Sequence, residues 1–135
     1  SGLGTSGTCV GVGRYLREHR PEARVVSFEP DSPFHGLEGM KHMESAIVPP
    51  IYDPSVAHEN RSCATERGYD GARLLARRDG LFVGISAGAA AWTALEVARE
   101  EAEAGREAVI VALGCDGGAR YLSEHFWEDI LEDSR

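Results

Sequence analysis

Three glycine-rich turns constrain this chain more than any other feature. They fall at residues 1–8 (SGLGTSGT), 84–88 (GISAG) and 114–118 (GCDGG), and each borders a helical pattern or a short apolar run. After the first turn, Cys9–His19 reads as a helix with Val10, Val12, Tyr15 and Leu16 apolar and Pro21 beyond its end. Arg24–Glu29 reads as a strand. Residues 30–64 hold the five remaining prolines and read as an irregular excursion. Thr65 suits the N-cap of a helix to about Asp79, closed by Gly80. Leu81–Gly84 reads as a short strand, followed by a helix from Ser86 or Gly88 to about Ala104. Val109–Leu113 (VIVAL) is apolar throughout, which predicts a strand buried on both faces. A short acidic helix is expected near Glu124–Glu132.

This alternation of strands and helices predicts an α/β fold with a parallel sheet, a three-layer (α/β/α) unit in one domain, 1–135. Ligands in such sheets sit beyond the carboxyl ends of the strands, so the three turns are expected to line that face. A formal net charge of −8 argues against a non-specific nucleic-acid binder and against an anionic-membrane binder. No apolar run approaches the ~20 residues of a membrane span. No secretory signal opens the sequence, and Cys9, Cys63 and Cys115 lack CxxC spacing. They read as reduced thiols of a cytoplasmic protein, with no metal site expected. One lysine, Lys41, stands against thirteen arginines.

The first turn matches GxGxxG at Gly2, Gly4 and Gly7, and Glu29 lies 22 residues beyond Gly7. That is the spacing of a dinucleotide fold's ribose-binding acid. Glycines let backbone N–H groups approach an anion, and the following helix adds the positive end of its dipole. Thr5, Ser6 and Thr8 add hydroxyl donors, which suits a single terminal phosphate better than a pyrophosphate. The bland alternative is a tight turn with a helix cap.

The second turn matches the GxSxG nucleophile elbow, with Asp116 and His125 following in the order serine, acid, histidine. Only 39 residues separate Ser86 from His125, and no HGGG-like element precedes them. An N-cap role for Ser86 and a solvated His125 account for both residues without catalysis. The third turn brings Cys115 and Asp116 to the end of VIVAL. A carboxylate there can fix a cationic ring nitrogen or orient a water; the plainer alternative is an Asx-type surface turn.

Taken together, GTSGT with GVGRYLRE, then RVVSFEPDSP, GLFVGISAGAA and VALGCDGGARYLS resemble the cysteine synthase family of fold-type II pyridoxal-phosphate enzymes. The resemblance implies pyridoxal 5′-phosphate as cofactor. It also implies a β-replacement in which an O-activated serine such as O-acetylserine loses its leaving group and a sulfur donor adds. Gly4, Thr5, Ser6, Gly7 and Thr8 would then hold the cofactor phosphate. The position near the pyridine nitrogen falls at Asp116, where many members carry serine. The Cys115-Asp116 pair is similar to the cysteine synthase B branch, and a carboxylate beside the ring favours a protonated nitrogen.

His42–Ala46 (HMESA) stands where many members carry a glycine-rich loop bordering the substrate entrance; an ordinary loop is the simpler reading. The family's Schiff-base lysine precedes GTSGT and is expected outside this chain, and Lys41 in the irregular loop is a solvated residue by expectation. The chain thus resembles the C-terminal portion of a transferase of roughly double length. Its implied partners are the remaining N-terminal half, a small amino-acid substrate with a sulfur donor, and a second copy in a homodimer. Alone it is expected to be inactive. Alternatives are a cystathionine β-synthase-like condensation or a non-catalytic nucleotide- or phosphate-binding α/β module.

Overall fold

The computed structural model describes residues 1–128. The chain divides into two units, Ser1–Thr65 and Glu66–Arg135, and each is described by itself.

The first unit is built on parallel strands. β1 (Val26–Pro30) and β2 (Glu59–Cys63) pair in parallel, with Val26 opposite Glu59 and Pro30 opposite Cys63. The opening residues add a third line of chain, since Gly2 forms a parallel bridge to Phe28. Leu3 N–H donates to the Phe28 carbonyl at 2.9 Å, and Phe28 N–H to the Ser1 carbonyl at 3.1 Å. Between this segment and β1 runs α1 (Gly7–His19), giving the strand–helix–strand crossover that a parallel sheet requires. Phe28, Leu3, Leu37, Val10 and Val56 are almost wholly buried and form the core. A Cβ on Gly13 would lie 2.0 Å from a Val56 methyl, so α1 packs tightly on the 3₁₀ turn Pro54–Val56.

The excursion is more ordered than the proline content predicts, because β2 lies inside it. Asn60, Arg61 and Ser62 carry no apolar alternation, and only pairing with β1 makes this segment a strand. Its polar side chains occupy the less buried positions. At the other end of β1, Glu29 is spoken for: its carboxylate accepts from Met43 N–H at 2.5 Å and from the Asn60 side-chain amide. The expected ribose-binding acid is therefore a structural anchor for the excursion.

The second unit rests on two helices, α2 (Thr65–Asp79) and α3 (Ile85–Glu103). They approach so closely that a Cβ on Gly71 would lie 2.1 Å from the Gly88 carbonyl oxygen, and one on Gly88 2.3 Å from that of Gly68. Glycine inside a helix costs about 1 kcal/mol relative to alanine, and here that loss permits backbone contact. Gly80, with φ +67, closes α2 as expected. Two expectations are corrected. The N-cap of α3 is Gly84, so Ser86 lies in the first turn and caps nothing. Thr65 is the first residue of α2, and its hydroxyl accepts from Gly36 N–H at 2.9 Å.

Leu81–Gly84 contributes one antiparallel bridge, Val83 to Gly117, in place of a strand. The largest correction is VIVAL. No strand forms there among the described residues; Val109 is 96% and Val111 81% exposed. An apolar run becomes a buried strand only where neighbouring strands and a covering layer meet it, and neither is present among the described residues. Near the end, His125–Trp127 forms a 3₁₀ turn, and the part of the expected helix beyond Glu128 lies outside the described residues.

Candidate functional site

The opening turn delivers a helix N-terminus with its polar groups uncommitted. Ser6 sits at the N-cap of α1 with φ 68 and ψ −3, the left-handed conformation a non-glycine residue adopts at a cost. It is 3% exposed, its hydroxyl makes no cap hydrogen bond, and Oγ is buried without a partner. A buried, unmatched hydroxyl is unfavourable in a folded chain unless a ligand completes it. Thr5 and Thr8 flank it and are exposed. Gly7 has no atom within 4 Å of where a Cβ would stand, so space opens at the first turn. The first N–H groups of any helix lack intrahelical acceptors, and the macrodipole adds partial positive charge. Gly4 is tight instead: a Cβ would come 2.3 Å from the Gly39 carbonyl oxygen, so glycine is what lets the turn lie against the excursion. Four of the five expected phosphate-holding residues thus present open space or free polar groups, and the fifth shapes the turn.

Beneath the turn, Leu3, Cys9 and Met43 form an apolar cluster with Tyr52 packed on it. Burial pushes the Cys9 thiol pKa up, and burial followed by the nearby Glu29 carboxylate does the same for the Tyr52 phenol. Both groups are held neutral. The His42–Ala46 segment is a turn in which His42 Nδ1 lies 2.8 Å from Ser45 Oγ, and Ser45 and Ala46 N–H donate to the His42 carbonyl. Glu29, through Met43, fixes that turn to β1.

In the second unit, Asp116 is held from several sides. Gly84 N–H donates to its carbonyl at 3.0 Å, and Gly118 N–H to the Phe82 carbonyl at 3.0 Å. The 3₁₀ turn Gly118–Tyr121 brings the buried Tyr121 back, and its hydroxyl donates to Asp116 Oδ2 at 2.6 Å. Asp116 Oδ1 is buried with no partner, and a Cβ on Gly84 would stand 2.0 Å from it. Gly84 and Tyr121 lie in the motifs GISAG and RYLS, but their contact with Asp116 is not legible there: Tyr121 reaches it from five residues on across an irregular turn, and Gly84 from another turn altogether. No serine-hydrolase triad forms: His125 Nδ1 pairs with Glu128 Oε1 at 2.8 Å while Asp116 pairs with Tyr121. Among the described residues no group of three metal-ligating side chains gathers, and no helix is long and apolar enough to cross a membrane. Cys9, Cys63 and Cys115 are reduced thiols.

The profile of the family described as "Pyridoxal-phosphate dependent enzyme" matches residues 1–116. The chain belongs to that family. It is 43% identical over 129 residues to a cysteine synthase of Aquifex aeolicus (strain VF5), covering 96% of this chain and 39% of that protein. Cysteine synthase B of Pseudomonas aeruginosa is 35% identical over 128 residues, with 95% and 41% covered. The crystal structure of O-ureido-L-serine synthase superposes with a TM-score of 0.85 at 37% identity, over 96% of this chain and 42% of that one. The chain therefore spans about two fifths of the length of the relatives it matches. Their fold is the parallel α/β fold of fold-type II pyridoxal-phosphate enzymes, and pyridoxal phosphate is the family's cofactor. The residues of the opening turn fit a phosphate, because an orphaned buried hydroxyl and open space at a helix N-terminus are what a phosphate completes.

Proposed function

We propose that this chain is the phosphate-holding portion of a longer cytoplasmic, homodimeric cysteine synthase-type transferase that replaces the oxygen leaving group of an activated serine, such as O-acetylserine, with sulfur. Gly4–Thr8 hold the cofactor phosphate: Gly7 leaves room, Ser6, Thr5 and Thr8 donate hydroxyl hydrogen bonds, and the α1 dipole meets the charge. Asp116 meets the ring nitrogen. The lysine that carries the cofactor lies in the remainder of the enzyme. Bound pyridoxal phosphate supplies an electron sink for the amino-acid substrate. This chain anchors and orients it, and Glu29 sets the turn His42–Ala46 at the entrance to the site.

The observation that carries this reading is the buried, unpartnered Ser6 hydroxyl at the N-terminus of α1. Ser6→Gly tests it in the complete enzyme, since glycine keeps the left-handed backbone while removing the side chain that carries the hydroxyl. Equilibrium dialysis against pyridoxal phosphate is expected to show roughly tenfold weaker retention, about one hydrogen bond to a charged group. Unchanged retention refutes the assignment. The likeness to O-ureido-L-serine synthase favours a second reading on the same scaffold, with a different nucleophile. Offering O-acetylserine with sulfide or with hydroxyurea, and identifying the product by mass, separates the two.

A further inference from the structure

We infer that Tyr121 is a positioning residue for the cofactor's ring nitrogen: it holds Asp116 through Oδ2 and leaves Oδ1 to accept from a ring N–H. This rests on the reading that Asp116 meets that nitrogen. The phenol of Tyr121 donates to Asp116 Oδ2 at 2.6 Å, the length of a charge-assisted O–H···O⁻ bond. An ionised carboxylate is acceptor-only. Its remaining oxygen, Oδ1, is buried without a partner, and an unprotonated pyridine nitrogen, itself an acceptor, cannot satisfy it. A ring N–H⁺ can. A ring without a proton on its nitrogen leaves Oδ1 unpaired.

The surrounding backbone holds Oδ1 in place. Gly84 N–H and the Asp116 carbonyl are joined at 3.0 Å, and the missing Cβ of Gly84 leaves the space that Oδ1 fills. The same absent Cβ would stand 2.7 Å from the Tyr121 ring, so one glycine admits both partners. Tyr121 is 8% exposed, which shields the bond from water.

The test uses the complete enzyme reconstituted with pyridoxal phosphate labelled with ¹⁵N in the ring, read by NMR at one neutral pH. The parent protein is expected to show a protonated ring nitrogen. Asp116→Asn removes the anion and is expected to give the unprotonated signal. Tyr121→Phe is expected to lower the ratio of protonated to unprotonated nitrogen roughly tenfold, equivalent to about 1.36 kcal/mol. If Asp116→Asn leaves the signal of the parent unchanged, the placement of Asp116 itself fails. If Asp116→Asn moves the signal and Tyr121→Phe does not, the role of Tyr121 alone fails. Should Tyr121→Phe not fold by circular dichroism, 3-fluorotyrosine at position 121 replaces it. Its more acidic phenol is a stronger donor and is expected to move the ratio the other way; no movement overturns the inference.

Discussion

Single side chains in this protein are distinguished by what surrounds them more than by their type. The cysteines make the point. Cys115 is exposed, whereas Cys9 is 4% exposed beneath the opening turn and burial raises its pKa. Thiolate, not thiol, is the reactive form. Alkylation followed by peptide mass mapping is therefore expected to modify Cys115 at least roughly tenfold faster than Cys9. Equal rates would contradict the burial of Cys9. Glu29 illustrates the same lesson for a carboxylate: its position suited a ribose contact, yet Met43 N–H and Asn60 take up its oxygens. Sequence spacing placed the acid at the end of a strand. Which donors reach it depended on an excursion whose path the spacing does not encode.

At the scale of elements, glycine separates two kinds of helix. Gly71 of α2 meets the backbone of Gly88, while Gly11 of α1 faces open space. The same substitution should thus change stability in opposite directions. Gly71→Ala is expected to destabilise by about 1–3 kcal/mol, the usual penalty of overpacking. Gly11→Ala is expected to stabilise by about 0.5–1 kcal/mol through helix propensity. Urea midpoints of the two variants decide it; matching signs would rule out the close approach of α2 and α3. Helices were the most legible elements, because their periodic pattern and terminators act locally: α1, α2 and α3 lie within about two residues of the expected bounds. Strands were less so. β2 carries a polar pattern and exists through β1, whereas VIVAL carries a strand pattern and finds no partner among the described residues.

The whole molecule carries the consequence of that unpaired run. Val109 and Val111 expose almost all of their surface, and an apolar, uncharged segment of high strand propensity is a template for association. The chain expressed alone is expected to self-associate at micromolar concentration. Val109→Lys with Val111→Lys should weaken that association roughly tenfold or more, since burying each valine is worth about 1.5–3 kcal/mol. Sedimentation velocity measures it, with circular dichroism confirming that α2 and α3 persist. A monomeric parent chain would show that the run is harmless in solution.

What the residues determine by themselves is local: where glycine permits a turn, where a helix starts and stops, and that hydroxyls gather at one helix N-terminus. These follow from backbone sterics and from dipoles within a few residues. Tertiary structure alone decided that the Ser6 hydroxyl is buried without a partner, that Glu29 is consumed by the excursion, and that Tyr121 grips Asp116. Each depends on groups brought together by packing, and the free energy of burying a polar atom exists only once its neighbours have displaced water.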